Sequence, residues 1–205
     1  MGSAHPVGRG RDPRRRRLNG AVAECIEAAL PADARRVAQI HVHAWQAAYV
    51  GIVPDEYLAS LSVDKRETMW REAIDKRVPE LFVARVGGDM AGWVSFDASR
   101  DKDAAQGCGE VWALYVDPAC WAGGVGSALL QRARERLTER GLRSISLWVL
   151  AANARAIRFY ETAGFTLDLG SAQVFELGGR SVQELRYTLS TAASRSPQAV
   201  SSVTP

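Results

Sequence analysis

The stretch that decides the fold covers residues 114–130 and reads LYVDPACWAGGVGSALL. An apolar segment runs into a turn of small residues, and this turn leads directly into a helical pattern. The first turn of an α-helix has about four amides without intrahelical partners, and it carries a partial positive charge. Because glycines let the backbone approach a ligand closely, the stretch predicts an anion site, above all for phosphate.

Two common phosphate-binding motifs fit this stretch poorly. A P-loop ends in Gly-Lys-Ser/Thr, whereas this turn ends in Gly126-Ser127-Ala128 and has no lysine. A Rossmann fingerprint needs a third glycine where Leu129 stands, and it follows the first strand of its domain. This turn comes late in the chain, so neither motif explains it.

The residues around the turn predict a βαβ unit. Apolar patterns indicate a strand at 110–116, a helix at 126–140 and a second strand at 143–150. A crossover of this kind joins two parallel strands with a right-handed connection. The turn therefore lies between the first strand of a parallel pair and the helix that crosses over.

The remaining pattern predicts antiparallel strands and further helices around this unit. Strands at 81–86 and 90–96 flank Gly87-Gly88-Asp89, which is typical of a hairpin. The sheet is therefore expected to be mixed. Periodicity and capping residues also predict four further helices: from the N-cap Asp33 to before Gly51, at 55–61, from the N-cap Ser62 to Ile74, and from the N-cap Asn153 to Ala163. Further strands are predicted at 21–29, 165–169, 174–177 and 182–189.

Length and composition indicate one globular α/β domain with a polar extension at each end. The 205 residues are 47% apolar and 24% charged, which is ordinary for such a domain. Residues 1–20 are rich in Arg, Gly and Pro, and residues 190–205 are rich in Ser, Thr, Ala and Pro. Both have too few large apolar side chains to fold, so we expect them to be disordered and the domain to cover residues 21–189.

The basic charge is concentrated in the N-terminal arm. The chain has a net charge of +3, and residues 1–20 contain six Arg and one Asp, so the rest of the chain carries −2. An arm of this kind can contact nucleic acid weakly without reading its sequence. We favour a solubilising leader and expect no specific nucleic-acid partner.

The cysteines and the hydropathy pattern indicate a cytoplasmic protein. Cys25, Cys108 and Cys120 form no C-x-x-C pair and no disulfide framework, which favours a reducing compartment and argues against zinc. No apolar run approaches the ~18 residues of a membrane-spanning helix, and the first residues do not resemble a secretory signal. We therefore expect no metal and no membrane partner.

Two segments of the chain resemble the GNAT superfamily of N-acetyltransferases. The turn matches the family's pyrophosphate pattern Gln/Arg-x-x-Gly-x-Gly/Ala, with Trp121 in place of Gln or Arg and Ala122 where many members carry glycine. Residues 153–165, NARAIRFYETAGF, match the family signature Asn-x-x-Ala-x-x-Phe-Tyr-x-x-x-Gly-Phe at the expected distance. The resemblance covers about residues 21–189.

This resemblance implies a mostly antiparallel sheet whose central parallel strands splay apart to admit acetyl-CoA. The pantetheine arm would pair with the backbone of Leu114 and Val116, as an added strand would. An amide near Tyr115 would bind the thioester carbonyl, and Asn153 would contact pantetheine, although a plain N-cap is the alternative for Asn153. The pyrophosphate would lie on the turn, at Trp121, Ala122, Gly123, Gly124, Val125, Gly126 and Ser127.

The resemblance also implies which residues handle protons. Glu110 matches the position of a glutamate base in many members, and a strand-end carboxylate in water is the alternative interpretation. Tyr160 matches the tyrosine that protonates the leaving thiolate, and packing beside Phe159 is the alternative. Trp45, Tyr49 and Trp112 are candidates for the acceptor pocket, with core packing as the alternative.

The resulting hypothesis is transfer of an acetyl group from acetyl-CoA to a primary amine, on a small molecule or a protein N-terminus, within a ternary complex. The alternatives are a non-catalytic CoA-sensing module and a nucleic-acid-associated module of the same fold. Arg155 and Arg158 are interpreted as a solvated helix face, with the 3′-phosphate of CoA as the alternative contact. Dimers are common in the family, so the resemblance is compatible with a homodimer.

Overall fold

The computed structural model describes residue 23 and residues 25–191. The Arg-rich arm of residues 1–20 lies outside the described residues, and so do residues 192–205 of the predicted tail. The described residues form eight strands, namely β1 Cys25–Ala28, β2 Glu80–Val86, β3 Asp89–Ala98, β4 Cys108–Val116, β5 Ser144–Leu150, β6 Thr166–Leu167, β7 Gln173–Leu177 and β8 Arg180–Ser190. The α-helices are α1 Ala34–Ala48, α2 Asp55–Ala59, α3 Val63–Lys76, α4 Val125–Glu139 and α5 Ala154–Thr162.

The strands form one mixed sheet in the order β1-β2-β3-β4-β5-β8-β6, with β7 also beside β8. The pair β4–β5 is parallel, and each of the other pairs formed by the described strands is antiparallel. Helix α4 connects the two parallel strands. The predicted fold class, an α/β domain with a mostly antiparallel sheet and a central parallel pair, is confirmed.

Helices cover both faces of the sheet. Side chains along each strand alternate between these faces, so the strands contribute to two cores. On β2, Phe82 and Ala84 pack in the core that contains α4, whereas Leu81 and Val83 pack in the core that contains α1 and α3. Both cores consist of fully buried apolar side chains, which fix the register of the central strands.

The two parallel strands separate halfway along their length. Cys108–Val111 of β4 pair with Ser144–Leu147 of β5, and the pairing stops there, although both strands continue. At that point β4 carries a bulge, because Ser95 of β3 pairs with Ala113 and Phe96 pairs with Val111, which leaves Trp112 unpaired. A bulge bends the strand that contains it, so β4 turns away from β5 and the expected splay is confirmed.

The three predicted N-cap residues Asp33, Ser62 and Asn153 all precede their helices, and two of them cap through the side chain. The Ser62 hydroxyl accepts a hydrogen bond from the Lys65 amide at 3.3 Å, and the Asn153 side chain accepts one from the Ala156 amide at 3.1 Å. Asp33 is the N-cap residue of α1, as predicted, but its side chain accepts no capping hydrogen bond from that helix. A short 3₁₀ turn precedes the helix, and the Asp33 carboxylate instead accepts hydrogen bonds from the Leu30 amide and from Arg85.

Candidate functional site

The gap between β4 and β5 opens into a cavity of about 710 Å³. The cavity is bounded by both strands, by the N-terminus of α4, by α1 and α5, and by side chains from β7 and β8. All of the predicted site residues except Glu110 and Gly123 line it. We call the part beside α4 the phosphate end and the part beside α1, β7 and β8 the acceptor end.

Unpaired backbone amides form the phosphate end. The Ala128 amide is the first in α4 to make an intrahelical bond, to the Gly124 carbonyl at 3.0 Å. Among the described residues, no group accepts from the amides of Gly124, Val125, Gly126 or Ser127. Gly124 adopts a φ of 79°, which lets the chain enter the helix through this tight turn. The residues of these amides line the cavity, so the arrangement suits an anion.

Trp121 and Arg155 form a second element of the phosphate end. The Trp121 indole donates to the Val116 carbonyl at 2.9 Å, which fixes its ring against the end of β4. The Arg155 guanidinium carbon lies 3.5 Å from the centre of that ring, a cation–π contact. Burial lowers the pKa of Arg155 from its ordinary value. Arg155 is exposed, as expected for a solvated helix face, and it also lines the cavity.

Tyr160 lines the cavity from α5. Its side chain is buried, and its ring packs at 5.0 Å from the Phe159 ring and 5.9 Å from the Phe165 ring. Burial raises the pKa of Tyr160 well above its ordinary value, so the hydroxyl keeps its proton at neutral pH. Tyr160 therefore both packs in the core and lines the cavity as a hydrogen-bond donor.

A polar network of aromatic side chains forms one wall of the acceptor end. The Trp45 indole donates to the Tyr115 hydroxyl at 2.7 Å, and the Trp45 and Tyr49 rings meet edge to face at 5.0 Å. Burial raises the pKa of Tyr115, and hydrogen bonds from Trp45 and Tyr49 oppose this shift. Burial likewise raises the pKa of Tyr49. Both tyrosines are therefore neutral at physiological pH.

Glu110 does not line the cavity. Its side chain is 1% exposed and accepts hydrogen bonds from the Arg100 amide at 2.9 Å and from the Arg100 guanidinium. Arg100 lines the cavity and lies over the Trp112 ring at 4.3 Å. The structure thus places Glu110 behind the cavity wall, as the partner that balances the charge of Arg100.

The loop that carries Arg100 is anchored by ion pairs. Arg186 on β8 binds Asp101 at 3.2 Å, Asp103 at 2.7 Å and Asp168 at 2.7 Å. The Trp148 indole donates to Asp101 at 3.1 Å. These contacts hold the segment between β3 and β4 beside the acceptor end.

Glu184 is a candidate functional residue that sequence reasoning missed. It lies on β8, lines the cavity and is partly buried, and no hydrogen bond or ion pair reaches its carboxylate from the described part of the chain. Burial raises the pKa of Glu184, and the charge of Arg100 opposes this shift. The sequence signal for Glu184 is that it lies two residues after the buried Val182 on the same strand. Alternate residues of a strand share a face of the sheet, so Glu184 is on the same face as Val182.

The described region has neither a candidate metal site nor a candidate membrane-spanning helix. Residue 23 and residues 25–191 contain no group of three or more His, Cys, Asp or Glu side chains placed to hold a metal ion. No helix in this region has the length and apolarity needed to cross a membrane.

Comparisons with known proteins agree with this geometry. The model of the acetyltransferase (GNAT) family matches residues 42–165. A protein of Bacillus subtilis named "Uncharacterized N-acetyltransferase YuaI" is 30% identical over 154 residues, which cover 75% of this chain and 85% of that protein. The structure of yncA from Salmonella typhimurium, solved with its cofactor acetyl-CoA, superimposes with a TM-score of 0.64 at 27% identity and covers 87% of this chain and 99% of that one.

A second solved structure is similar in fold alone. The ribosomal-protein-alanine N-acetyltransferase of Brucella melitensis superimposes with a TM-score of 0.66 at 23% identity. The superposition covers 81% of this chain and 99% of that one.

Proposed function

The chain belongs to the acetyltransferase (GNAT) family, and on that premise we propose that it transfers an acetyl group from acetyl-CoA to a primary amine. One observation carries the proposal: the gap between β4 and β5 meets the unpaired amides of α4 in a single cavity. Because one cavity contains both a phosphate end and an acceptor end, we propose direct transfer in a ternary complex.

The phosphate end fits the diphosphate of CoA. The amides of Gly124–Ser127 would donate to the phosphate oxygens, and Arg155 would add a positive charge. Beyond Val111, no described strand pairs with β4 on the β5 side, so the backbone at Leu114–Val116 is open to pairing with pantetheine. The Asn153 oxygen is engaged by the Ala156 amide, which leaves the Asn153 amide nitrogen to donate to pantetheine.

Two side chains of the cavity suit the proton transfers of this reaction. The amine must lose a proton to attack the thioester carbon, and Glu184 supplies an unpartnered carboxylate at the acceptor end. The new C–N bond forms as the C–S bond breaks, and the sulfur of CoA takes up a proton. Tyr160 keeps its hydroxyl proton and is the donor available to the sulfur. We therefore propose Glu184, rather than Glu110, as the base.

The setting of the reaction follows from the sequence. The acceptor is a small-molecule or peptide amine, and the cysteines, which form no disulfide among the described residues, support a cytoplasmic location. A homodimer and weak contact between the Arg-rich arm and nucleic acid stay predictions, the latter because residues 1–20 lie outside the described residues.

The test is thiol release from acetyl-CoA by the full chain, measured against a panel of amines and without amine. We expect CoA to bind with measurable heat and thiol to appear at a rate that depends on the amine. A Tyr160→Phe variant should bind CoA as the parent does and release thiol more slowly. If calorimetry detects no CoA binding, or if thiol release ignores every amine, the proposed function fails.

A further inference from the structure

The acceptor end has walls that are mainly aromatic and uncharged. Trp45, Tyr49, Trp112, Trp148 and Phe175 line it, from the end of α1 and from β4, β5 and β7. The polar atoms of several of these side chains already have partners in the protein: the Trp45 indole binds Tyr115, and the Trp148 indole binds Asp101. What these side chains offer a ligand is therefore chiefly ring surface, which suits an apolar or aromatic body.

The charges of the cavity do not balance at this end. Three charged side chains line the cavity within the described residues, namely Arg100, Arg155 and Glu184. Arg155 lies over Trp121 at the phosphate end, and the charge of Arg100 is matched by Glu110. Glu184 is thus the charge without a matching partner at the acceptor end.

The groups packed behind the acceptor end do not change this balance. Tyr49 and Tyr115 are neutral because burial raises the pKa of each, and His41, whose ring stacks on Tyr115 at 5.0 Å, is neutral because burial lowers its pKa to about 3. Arg66 lies over the Trp45 ring at 5.9 Å and is not among the residues that line the cavity. The acceptor end therefore presents one carboxylate among aromatic rings.

We infer that the acceptor is an arylalkylamine or a similar primary amine whose body carries no negative charge, and that amino acids with a free carboxylate are poor acceptors. This inference rests on the proposed acetyl transfer. An ammonium group is attracted both to the Glu184 carboxylate and to aromatic ring faces. A carboxylate on the acceptor would be brought, partly desolvated, close to Glu184, and juxtaposed like charges oppose binding.

The test compares acceptors that differ by a single carboxylate. The pairs are 2-phenylethylamine with L-phenylalanine and tryptamine with L-tryptophan, assayed by thiol release from acetyl-CoA. We expect kcat/KM to be about 100-fold higher for the member of each pair that lacks the carboxylate. Equal values, or a preference for the amino acids, would show that Arg100 dominates the recognition and would overturn the inference.

A binding measurement separates recognition from catalysis. Three tryptophans line the acceptor end, so amine binding in the presence of CoA can be followed by intrinsic fluorescence. Glu184→Gln should weaken binding of 2-phenylethylamine and reduce its preference over L-phenylalanine to less than about tenfold. Glu176→Gln is the matched control, because Glu176 is exposed on β7 between the cavity-lining Phe175 and Leu177 and so lies on the opposite face.

Failure of the inference is distinct from failure of the proposed function. If amino acids or peptides are acetylated and the carboxylate-free amines are not, the inference fails and acetyl transfer stands. If CoA does not bind and thiol release ignores every amine, the proposed function fails as well. An unchanged preference in Glu184→Gln would also overturn the inference, because the preference would then have another source.

Discussion

The two ends of the cavity are built in different ways. The phosphate end is made mainly of main-chain amides from consecutive residues, Gly124–Ser127, at the start of one helix. The acceptor end is made of side chains from α1, β4, β5, β7 and β8, together with Arg100 from the loop before β4. One end therefore depends on the local path of the chain, and the other on the packing of segments that are far apart in the sequence.

This difference predicts how each end responds to substitution. A backbone site loses no donor when a neighbouring side chain changes, so only a change of charge or of backbone conformation should disable it. A site made of side chains loses its function when a single polar atom is removed, as at Glu184. The experiments below test this contrast, beginning with the large losses of CoA binding and of turnover.

Ser127→Asp should have the largest effect on CoA binding. Ser127 is exposed in the first turn of α4 and lines the cavity. A carboxylate there favours the helix, because it interacts with the positive end of the helix dipole. It also faces the CoA diphosphate, and like charges about 4 Å apart repel by about 4 kcal/mol at an effective dielectric constant near 20. We expect the Kd for CoA, measured by calorimetry, to rise by about 100-fold or more.

The matched control for this change is Ser127→Asn, which has the same shape and no charge. It should bind CoA within about threefold of the parent, since the backbone amides remain. Similar losses in both variants would mean that the Ser127 side chain, and not the main chain, holds the phosphates.

Glu184→Gln should reduce turnover and leave CoA binding unchanged. The substitution removes the proposed base and keeps the size of the side chain, so kcat/KM for the best amine should fall by about 100-fold or more. Because burial raises the pKa of Glu184, the parent's kcat/KM should rise with pH through a value above the ordinary glutamate range. The rise should disappear in Glu184→Gln, which a pH profile of thiol release will detect.

Glu110→Gln separates the two glutamates. Removal of the Glu110 charge leaves Arg100 without its partner, so the free energy of unfolding should decrease. We expect a decrease of about 1–2 kcal/mol, because Arg100 is half-exposed and solvent screens its charge. The acid limb of the pH profile should stay in place. If Glu110→Gln removes that limb and Glu184→Gln does not, the original prediction of Glu110 as the base is restored.

The free energy of unfolding should decrease in acid because of His41, which packs behind the acceptor end. The Trp70 indole donates to its Nδ1 at 3.0 Å, and burial lowers its pKa from 6.5 to about 3. Between these two pH values the unfolded chain therefore binds more protons than the folded chain does. The stability that neutral His41 contributes is fully present above pH 6.5 and is lost as the pH falls towards 3. Within that window the free energy of unfolding should fall by about 1.4 kcal/mol per pH unit, beyond the change in a His41→Gln variant, as measured by urea denaturation.

Arg155→Ala should have the smallest effect, on the phosphate end alone. Loss of one partly exposed cation should raise the Kd for CoA about fivefold to tenfold, since the main-chain amides remain. Arg158→Ala is the control, because Arg158 is exposed on the same helix and does not line the cavity. Equal effects of the two variants, measured by calorimetry, would indicate a general charge effect and not a contact from Arg155.

Much of the phosphate end could be predicted from the sequence, because its parts are adjacent in the chain. The turn before α4 and the Asn153 cap each depend on residues within about one helical turn, and the parallel crossover follows from the order of three consecutive elements. Local patterns of this kind determine backbone conformation, and the backbone itself provides the donors. The mixed sheet followed from the same patterns.

Only the tertiary structure decided which side chains meet. The bulge at Trp112 opens the gap, Arg155 packs on Trp121, and Glu110 pairs with Arg100. Glu184 lies in the cavity, and its carboxylate has no hydrogen-bond or ion-pair partner among residues 25–191. None of these pairings has a local signature, because the residues lie in different elements and the interactions act through space. A site made of main-chain groups can be read from consecutive residues, whereas a site made of side chains depends on how the strands and helices pack.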